Sequence, residues 1–368
     1  MDEIDEARWT EAADLLDRAG EALAECRLDE AQGLAESARD ALAAVLGVDH
    51  PDHANALDTL GAIAAAQGNP EAAVVQFRAA LAIYDACATD EEDAAVVRPL
   101  RAETLANLGE QLMRAGHADE AEPLVRAALT EAARAYGPDA LEVSRFHNQL
   151  GVFLRFGGRY DEAEAAYLRA AALRDANGEP QPSTHFHNLS GLASARGDFV
   201  RAEGFARAAV AISEIRPLDG LSLGTDLCGL GDALAGQARF ADAEAAYRRG
   251  LSLFAASGRA DHPEVAYALH NLGDCLAALG QTVDAERAYR ASIERKQAAF
   301  GADHPEIAAT LSNLAALYAE TNRMDAARVT SRRAVVMAQA TLPPDAPIRQ
   351  GVEAFARSLR RAPAGRRP

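Results

Sequence analysis

Three histidines, His147, His187 and His270, each stand directly before an asparagine, and His185 and His187 form an HxH pair. Imidazoles could ligate a metal or move a proton. Residues two apart on a helix do not share a face, so the HxH pair does not hold one metal. The recurring His-Asn step reads instead as packing and hydrogen bonding carried along by sequence repetition. Acid pairs such as Asp161–Glu162, in RYDEAEAAY, suit a helix start, where the dipole favours negative charge, better than proton transfer. The four cysteines, Cys26, Cys87, Cys228 and Cys275, lie far apart with no CxxC pair. They read as free, partly buried thiols of a reducing cytosol, not as a disulfide framework or zinc site. The chain has no GxxxxGK[ST] phosphate loop, no GxGxxG after a strand, no HExxH and no GxSxG. The residues therefore predict no catalytic residue, no metal and no cofactor.

What does recur is a spacing. An alanine in an xxDA or xxEA step appears at Ala31, Ala73, Ala121, Ala163, Ala202, Ala243, Ala285 and Ala327, with intervals of 42, 48, 42, 39, 41, 42 and 42 residues. Other positions keep step with these anchors. Twelve before them stand Ala19, Gly61, Gly109, Gly151, Ser190, Gly231, Gly273 and Ala315, all small. A leucine precedes this column in every unit but the first, which has Arg18. Five before the anchors stand Cys26, Gly68, Gly116, Gly158, Gly197, Ala238, Gly280 and Asn322, where one helix should end and turn. Each unit then holds two amphipathic helices joined at that step. Small residues at fixed places let the helices approach, and fillers such as Phe77, Tyr167, Tyr247 and Tyr289, four after their anchors, occupy the gaps. One hairpin cannot bury its apolar faces alone, so neighbours must stack into a continuous core.

Composition agrees with this. Of 368 residues 49% are apolar and only 5% aromatic, and alanine, the best helix former, is abundant. The formal charge of −18 argues against nucleic acid, whose phosphates call for clustered Lys and Arg. Lys296 is the only lysine among many arginines, a usage that fits a high-GC, bacterial genome. The acidic start MDEIDEARW lacks the apolar stretch of a signal peptide, and no run of 18 apolar residues exists to span a membrane. A cytoplasmic protein is expected.

The Leu-Gly pair, the glycine five before the anchor, the anchor alanine, the following Tyr or Phe and the later Ala, seven after the anchor as at Ala38, Ala80 and Ala128, resemble the tetratricopeptide repeat. The 42-residue unit, with DHPEVA and DHPEIA openings and HNLG and SNLA centres, is similar to the kinesin-light-chain type. The resemblance implies an all-α fold, a right-handed superhelical solenoid of about eight helix-turn-helix hairpins plus a C-terminal capping helix. The expected organisation is a solenoid over residues 1–345, a cap over 346–361 and a disordered basic tail over 362–368. The insertion ACATDEEDAAVV, residues 86–97, is expected to be an acidic surface loop carrying Asp90, Glu91, Glu92 and Asp93. Pro180, Pro182 and Pro217, around the short unit at Ser190, are expected to change the superhelical twist without breaking the domain.

The resemblance also implies a function, a non-catalytic scaffold or adaptor that binds a protein or peptide on the concave face lined by the first helices. Inward residues would then lie 18, 14, 11 and 7 before each anchor. The column 14 before reads Thr59, Asn107, Gln149, Asn188, Gly229, Asn271 and Asn313. An amide offers donors and an acceptor, so such a ladder suits a peptide backbone in either sense, although it could equally bond neighbouring helices. Arg145, one turn from Gln149, is the single basic residue in a carboxylate-clamp position, so that subtype is not expected. Asp232 and Asp274 make the C-terminal half acidic, while Phe156 and Tyr267 offer apolar contact. The predicted partner is therefore a basic and apolar segment, bound extended or as a short helix. Readings as a peptide-sensing regulator and as self-assembly through the end hairpins stay open, as does the oligomeric state.

Overall fold

The computed structural model describes residues 3–88, 91–215, 220–302 and 304–361. These fold into seventeen helices, with no strand among the described residues. The chain divides into two compact units, Met1–Gln181 and Pro182–Pro368. The boundary falls at the Pro180–Pro182 step, where the sequence predicts a change of twist and no break.

The first unit contains four hairpins: α1 (Glu3–Ala24) with α2 (Leu28–Leu46), α3 (Pro51–Ala66) with α4 (Pro70–Cys87), α5 (Glu91–Arg114) with α6 (Ala118–Tyr136), and α7 (Val143–Phe156) with α8 (Tyr160–Ala176). The second contains α9 (Ser183–Ala195) with α10 (Phe199–Ile215), α11 (Gly220–Gly236) with α12 (Phe240–Ala256), α13 (Pro263–Ala278) with α14 (Thr282–Phe300), and α15 (Pro305–Glu320) with α16 (Met324–Thr341). A final helix, α17 (Pro347–Arg361), packs on α15 and α16 and buries Val352 and Leu359 there. Residues 362–368, expected as a basic tail, lie outside the described residues, as does Pro217.

The repeat columns explain these elements. All eight anchor alanines sit near the start of a second helix and are fully buried, each at 0% exposure. Acids in the first turn of most second helices, Asp161 and Glu162 of α8 among them, face the positive end of the helix dipole. The openings with His-Pro act as built caps. His50, His262 and His304 each accept the backbone N–H two residues on, through Nδ1, and the prolines that follow occupy the first helical turn, where no amide is required.

The hinge column is equally regular. All eight of its residues have positive φ, five of them glycines and three not: Cys26 at 57°, Ala238 at 58° and Asn322 at 59°. A Cβ in this left-handed region costs about 1–2 kcal/mol. Ala238→Gly is therefore expected to stabilise the chain by about 1 kcal/mol, net of the glycine's greater unfolded-state freedom. An upward shift of the urea midpoint would show it, and an unchanged or lower midpoint would contradict it.

In the small column, the missing side chains are occupied by rings. A Cβ on Gly61 would come within 2.6 Å of the Phe77 ring, on Gly151 within 2.5 Å of Tyr167, on Gly231 within 2.6 Å of Tyr247 and on Gly273 within 2.7 Å of Tyr289. These contacts join the two helices of one hairpin at a spacing that no larger residue would permit.

One expected loop is helical. Residues 91–93 of the insertion after α4 do not form the expected acidic loop: α5 begins at Glu91, and Asp90 lies outside the described residues. Carboxylates are favoured at a helix N-terminus, so Glu91, Glu92 and Asp93 start a helix instead of interrupting one. The extra length goes into α5, which runs 24 residues where α3 has 16.

Candidate groove site

Within each unit the helices are not equivalent. Each first helix touches the first helix of the next hairpin, as α3 touches α5 and α13 touches α15, while successive second helices make no such contact among the described residues. The first helices thus lie on the inner side of each stack. The columns 18, 14, 11 and 7 before the anchors are carried by these helices.

In the second unit two of the expected residues meet directly. Asn271 on α13 donates through Nδ2 to Asp232 Oδ1 on α11 at 2.8 Å, and Tyr247 on α12 donates its hydroxyl to the same oxygen at 2.6 Å. One hairpin later Asn313 on α15 donates to Asp274 Oδ1 on α13 at 2.9 Å, and Tyr289 on α14 does so at 2.6 Å. Each carboxylate therefore ties its own hairpin, through the tyrosine, to the next, through the amide. The tyrosines are the rings that fill the glycine gaps, so one side chain serves packing and bonding together. An ionised carboxylate only accepts, so it turns the amide nitrogen inward. That leaves the second N–H and the carbonyl of each asparagine for other partners.

Asp232 is exposed, yet protein surrounds it closely enough that desolvation pushes its carboxyl above the usual range, against the opposing hydrogen bonds from Tyr247 and Asn271. Glu264, at the start of α13, is raised by burial and by the charge of Asp232. His187 on α9 reaches Asp226 at 3.3 Å, and its ring lies 3.5 Å from where Gly229 would carry a Cβ. Gly229 is the position where the amide column lapses, and His187 stands beside the space. Asn188, also on α9, is half-buried.

Beside Asp274 lies a polar cluster that the sequence did not announce. Lys296 on α14 is 1% exposed. Its ammonium donates to Glu306 O at 3.2 Å, Glu306 Oε2 at 3.3 Å and Thr310 Oγ1 at 3.1 Å. It also lies 5.0 Å from the centre of the Tyr267 ring. Tyr267 is half-buried, so part of its face is already covered by this cation. His270 joins Thr310 through Nδ1 at 3.0 Å and approaches Asp274 at 3.5 Å. Burial lowers both the Lys296 and His270 pKa values. A signal was present: the only lysine of the chain stands where the repeat places a buried face.

In the first unit Asn107 on α5 and Thr104 stand beside Asp58 on α3. Burial pushes the Asp58 carboxyl up to about 6, and its Oδ1 is buried with no hydrogen-bond partner. Arg145 on α7 is exposed and pairs with Glu103 on α5, its guanidinium 4.7 Å over the Phe146 ring. Gln149, one turn on, is half-buried and has no hydrogen-bond partner among the described residues. Phe156 is 64% exposed, with the Arg155 guanidinium 4.4 Å from its ring centre.

The remaining candidates for chemistry separate. His185 is buried against Phe186, while His187 faces Asp226. Cys228 and Cys275 are buried thiols whose pKa values burial raises, that of Cys275 to about 12. No group of three His, Cys, Asp or Glu side chains is placed to hold a metal among the described residues. No helix among them is long and apolar enough to cross a membrane.

A family model described as tetratricopeptide repeat matches residues 11–86, 100–176, 221–298 and 264–340. No curated protein matches the chain. Among solved structures the chain is similar to the APC/C hetero-tetramer Cut9–Hcn1, at 14% identity and a TM-score of 0.55, over 89% of this chain and 59% of that one. It thus spans under two thirds of that relative's length. It is similar to the apo form of RapI at 13% identity and a TM-score of 0.55, over 82% of this chain and 79% of that one. A putative kinesin light chain of Podosopora anserina, with nearly identical TPR-like repeats, aligns over 54% of this chain and 96% of that one, at 18% identity and a TM-score of 0.42. For the first two, at such identities, the likeness is one of fold.

Proposed function

The chain belongs to the tetratricopeptide repeat family, and from that premise we propose that it is a non-catalytic scaffold whose inner helix faces bind an extended segment of a partner protein. The observation that carries this reading is the stitched row of Asp232, Asn271, Asp274 and Asn313, which is fixed before any partner arrives. Each asparagine keeps a free N–H and carbonyl oriented by its carboxylate, and preorganised amides lose little freedom on binding a peptide backbone. Asp232 and Glu264, neither paired with an arginine or lysine among the described residues, favour a segment with basic residues. Phe156, with the Arg155 guanidinium on its ring, gives the first unit an apolar, cationic contact, and Arg145, Gln149 and Asn107 are carried by the same inner helices, α7 and α5. Binding to protein partners is what tetratricopeptide repeat proteins generally do; the basic and apolar character of this partner is our reading.

The test compares proteins captured from the source lysate by the native chain and by an Asp232→Asn, Asp274→Asn variant. These isosteric changes still accept the tyrosine hydroxyls, so circular dichroism should be unchanged. A captured protein that binds the native chain at least tenfold more tightly, and less so at high salt, is the expected result. Equal capture by a folded variant would move the binding surface away from this face.

A further inference from the structure

Asp232 and Asp274, which stand eleven residues before their anchors, each accept the hydroxyl of the tyrosine four after the same anchor. The α7–α8 hairpin keeps that tyrosine and lacks the acid. Tyr167 fills the gap over Gly151 as Tyr247 fills the one over Gly231, yet position 152 is a half-buried valine, which cannot accept a hydrogen bond. Tyr167 is 0% exposed and its hydroxyl makes no hydrogen bond. Arg155, one turn on from Val152, has its Nε equally shut from solvent and equally unbonded. Burial raises the Tyr167 pKa and the Arg155 cation acts against that rise, as it does when the two groups lie side by side. Helix α7 as a whole is short of acids. VSRFHNQLGVFLRF carries Arg145 and Arg155 and no Asp or Glu, in a chain whose net charge is −18. Arg145 is paired with Glu103, whereas Arg155 makes no ion pair among the described residues. Its guanidinium lies instead 4.4 Å from the centre of the Phe156 ring, and Phe156 is 64% exposed, so the half-buried cation borders solvent along an aromatic face.

We propose that this face of α7 binds an acidic side chain of the partner segment, a glutamate or aspartate whose carboxylate pairs with the Arg155 guanidinium beside the Phe156 ring. The inference rests on the inner-face reading and refines it: α11 and α13 offer carboxylates to a basic residue, and α7 takes a carboxylate. The charge selects the occupant, since the cation has no acid on its own helix and none in the column where α11 and α13 carry one. A guanidinium offers a carboxylate two parallel N–H groups, a geometry that a neutral side chain does not match. Arg145 and Gln149 take no part, Arg145 being engaged with Glu103. Val152, Arg155 and Phe156 follow one another at 0, 3 and 4, so they share a face. An aspartate in place of Val152 would therefore close the pair within the hairpin and leave nothing for a partner.

Fluorescence anisotropy on the full chain tests it, with a labelled peptide of alternating alanine and glutamate, blocked at both ends, and its glutamine counterpart, at about 0.15 M salt, where the screening length is about 8 Å. The glutamate peptide should bind at least about tenfold more tightly than the glutamine one. Arg155→Gln should remove that preference. Val152→Asp should remove it too, with native helicity and no fall in the urea midpoint, because the new carboxylate accepts from Tyr167 and Arg155. Val152→Asn, of the same shape without the charge, should keep it. Equal binding of the two peptides, or binding of neither, would overturn the proposal. So would a folded Val152→Asp chain that keeps the preference; if that variant loses helicity, Arg155→Gln alone decides. A preference seen only for peptides ending in a free carboxylate would overturn the assignment to a side chain. None of these variants touches Asp232 or Asp274, so this result and the lysate capture can fail separately.

Discussion

Gly273→Ala is expected to destabilise the native chain by about 1–3 kcal/mol, yet to stabilise a Tyr289→Ser variant by up to about 1 kcal/mol. On an open helix the change would help, because alanine loses less backbone freedom than glycine. Here the new Cβ would meet the Tyr289 ring at 2.7 Å, and that ring is 3% exposed with its hydroxyl bound to Asp274, so it cannot swing aside cheaply. The clash outweighs the propensity. With serine at 289 the ring is gone and only the propensity remains. Tyr289→Ser itself should cost about 3–5 kcal/mol, because it empties a buried aromatic site. The protein contains its own control. Gly61, Gly109, Gly151, Gly231 and Gly273 face Phe77, Val125, Tyr167, Tyr247 and Tyr289, whereas Ala19, Ser190 and Ala315 stand over the small residues Ala35, Ala206 and Ser331 at the equivalent place. Wherever the first helix carries a side chain, the second gives one up. A double-mutant cycle by urea denaturation measures the coupling, and additive effects would show that the two positions do not compete for one volume.

Asp58→Asn should raise stability at neutral pH by about 2–3 kcal/mol and flatten the pH dependence between about 4 and 6. The sign follows from the direction of the shift. The Asp58 carboxyl rises from 3.8 to about 6 on folding, so between those values the folded chain holds a proton that the unfolded chain has released. Its contribution is fully present below the unfolded value and is lost as pH rises through the folded one. Two units correspond to about 3 kcal/mol. Burial is the main cause of the rise, with the charge of Glu103 adding to it, while Thr104 and Asn107 beside the carboxyl act against it. Carboxylates held low by arginines, such as Glu122 and Glu286, pull the overall profile the other way. The difference between native and variant curves, not either alone, isolates Asp58. A difference independent of pH would remove the assigned proton.

Much of this was legible as columns. Anchor, hinge and small positions each reported one residue at a time against a fixed spacing, and backbone geometry obeys such a rule: even Cys26, Ala238 and Asn322 take the left-handed conformation their column dictates. The amide column was legible too, but its immediate role was not. Asn271 stands 39 residues after Asp232 and Asn313 39 after Asp274, so each bond joins two different columns of neighbouring units, and a column read alone names only one partner. Asp58 carries no motif at all; its altered acidity comes from what surrounds it. The insertion before α5 failed for a different reason. Four consecutive acids read as a solvated loop, but from Glu91 on the chain is helical, and acids at a helix start are stabilising.

Lys296 has a consequence for the chain's outer chemistry. It is the only side-chain amine, and it is sealed in contact with Glu306 and Thr310. Apart from histidine, every side-chain cation that faces solvent is then a guanidinium, which stays charged at any physiological pH and grips carboxylates with two parallel N–H groups. Acylation or conjugation directed at lysine has no target on the folded surface, so charge there cannot be erased by the commonest route. Reaching that one amine requires α14 and α15 to part.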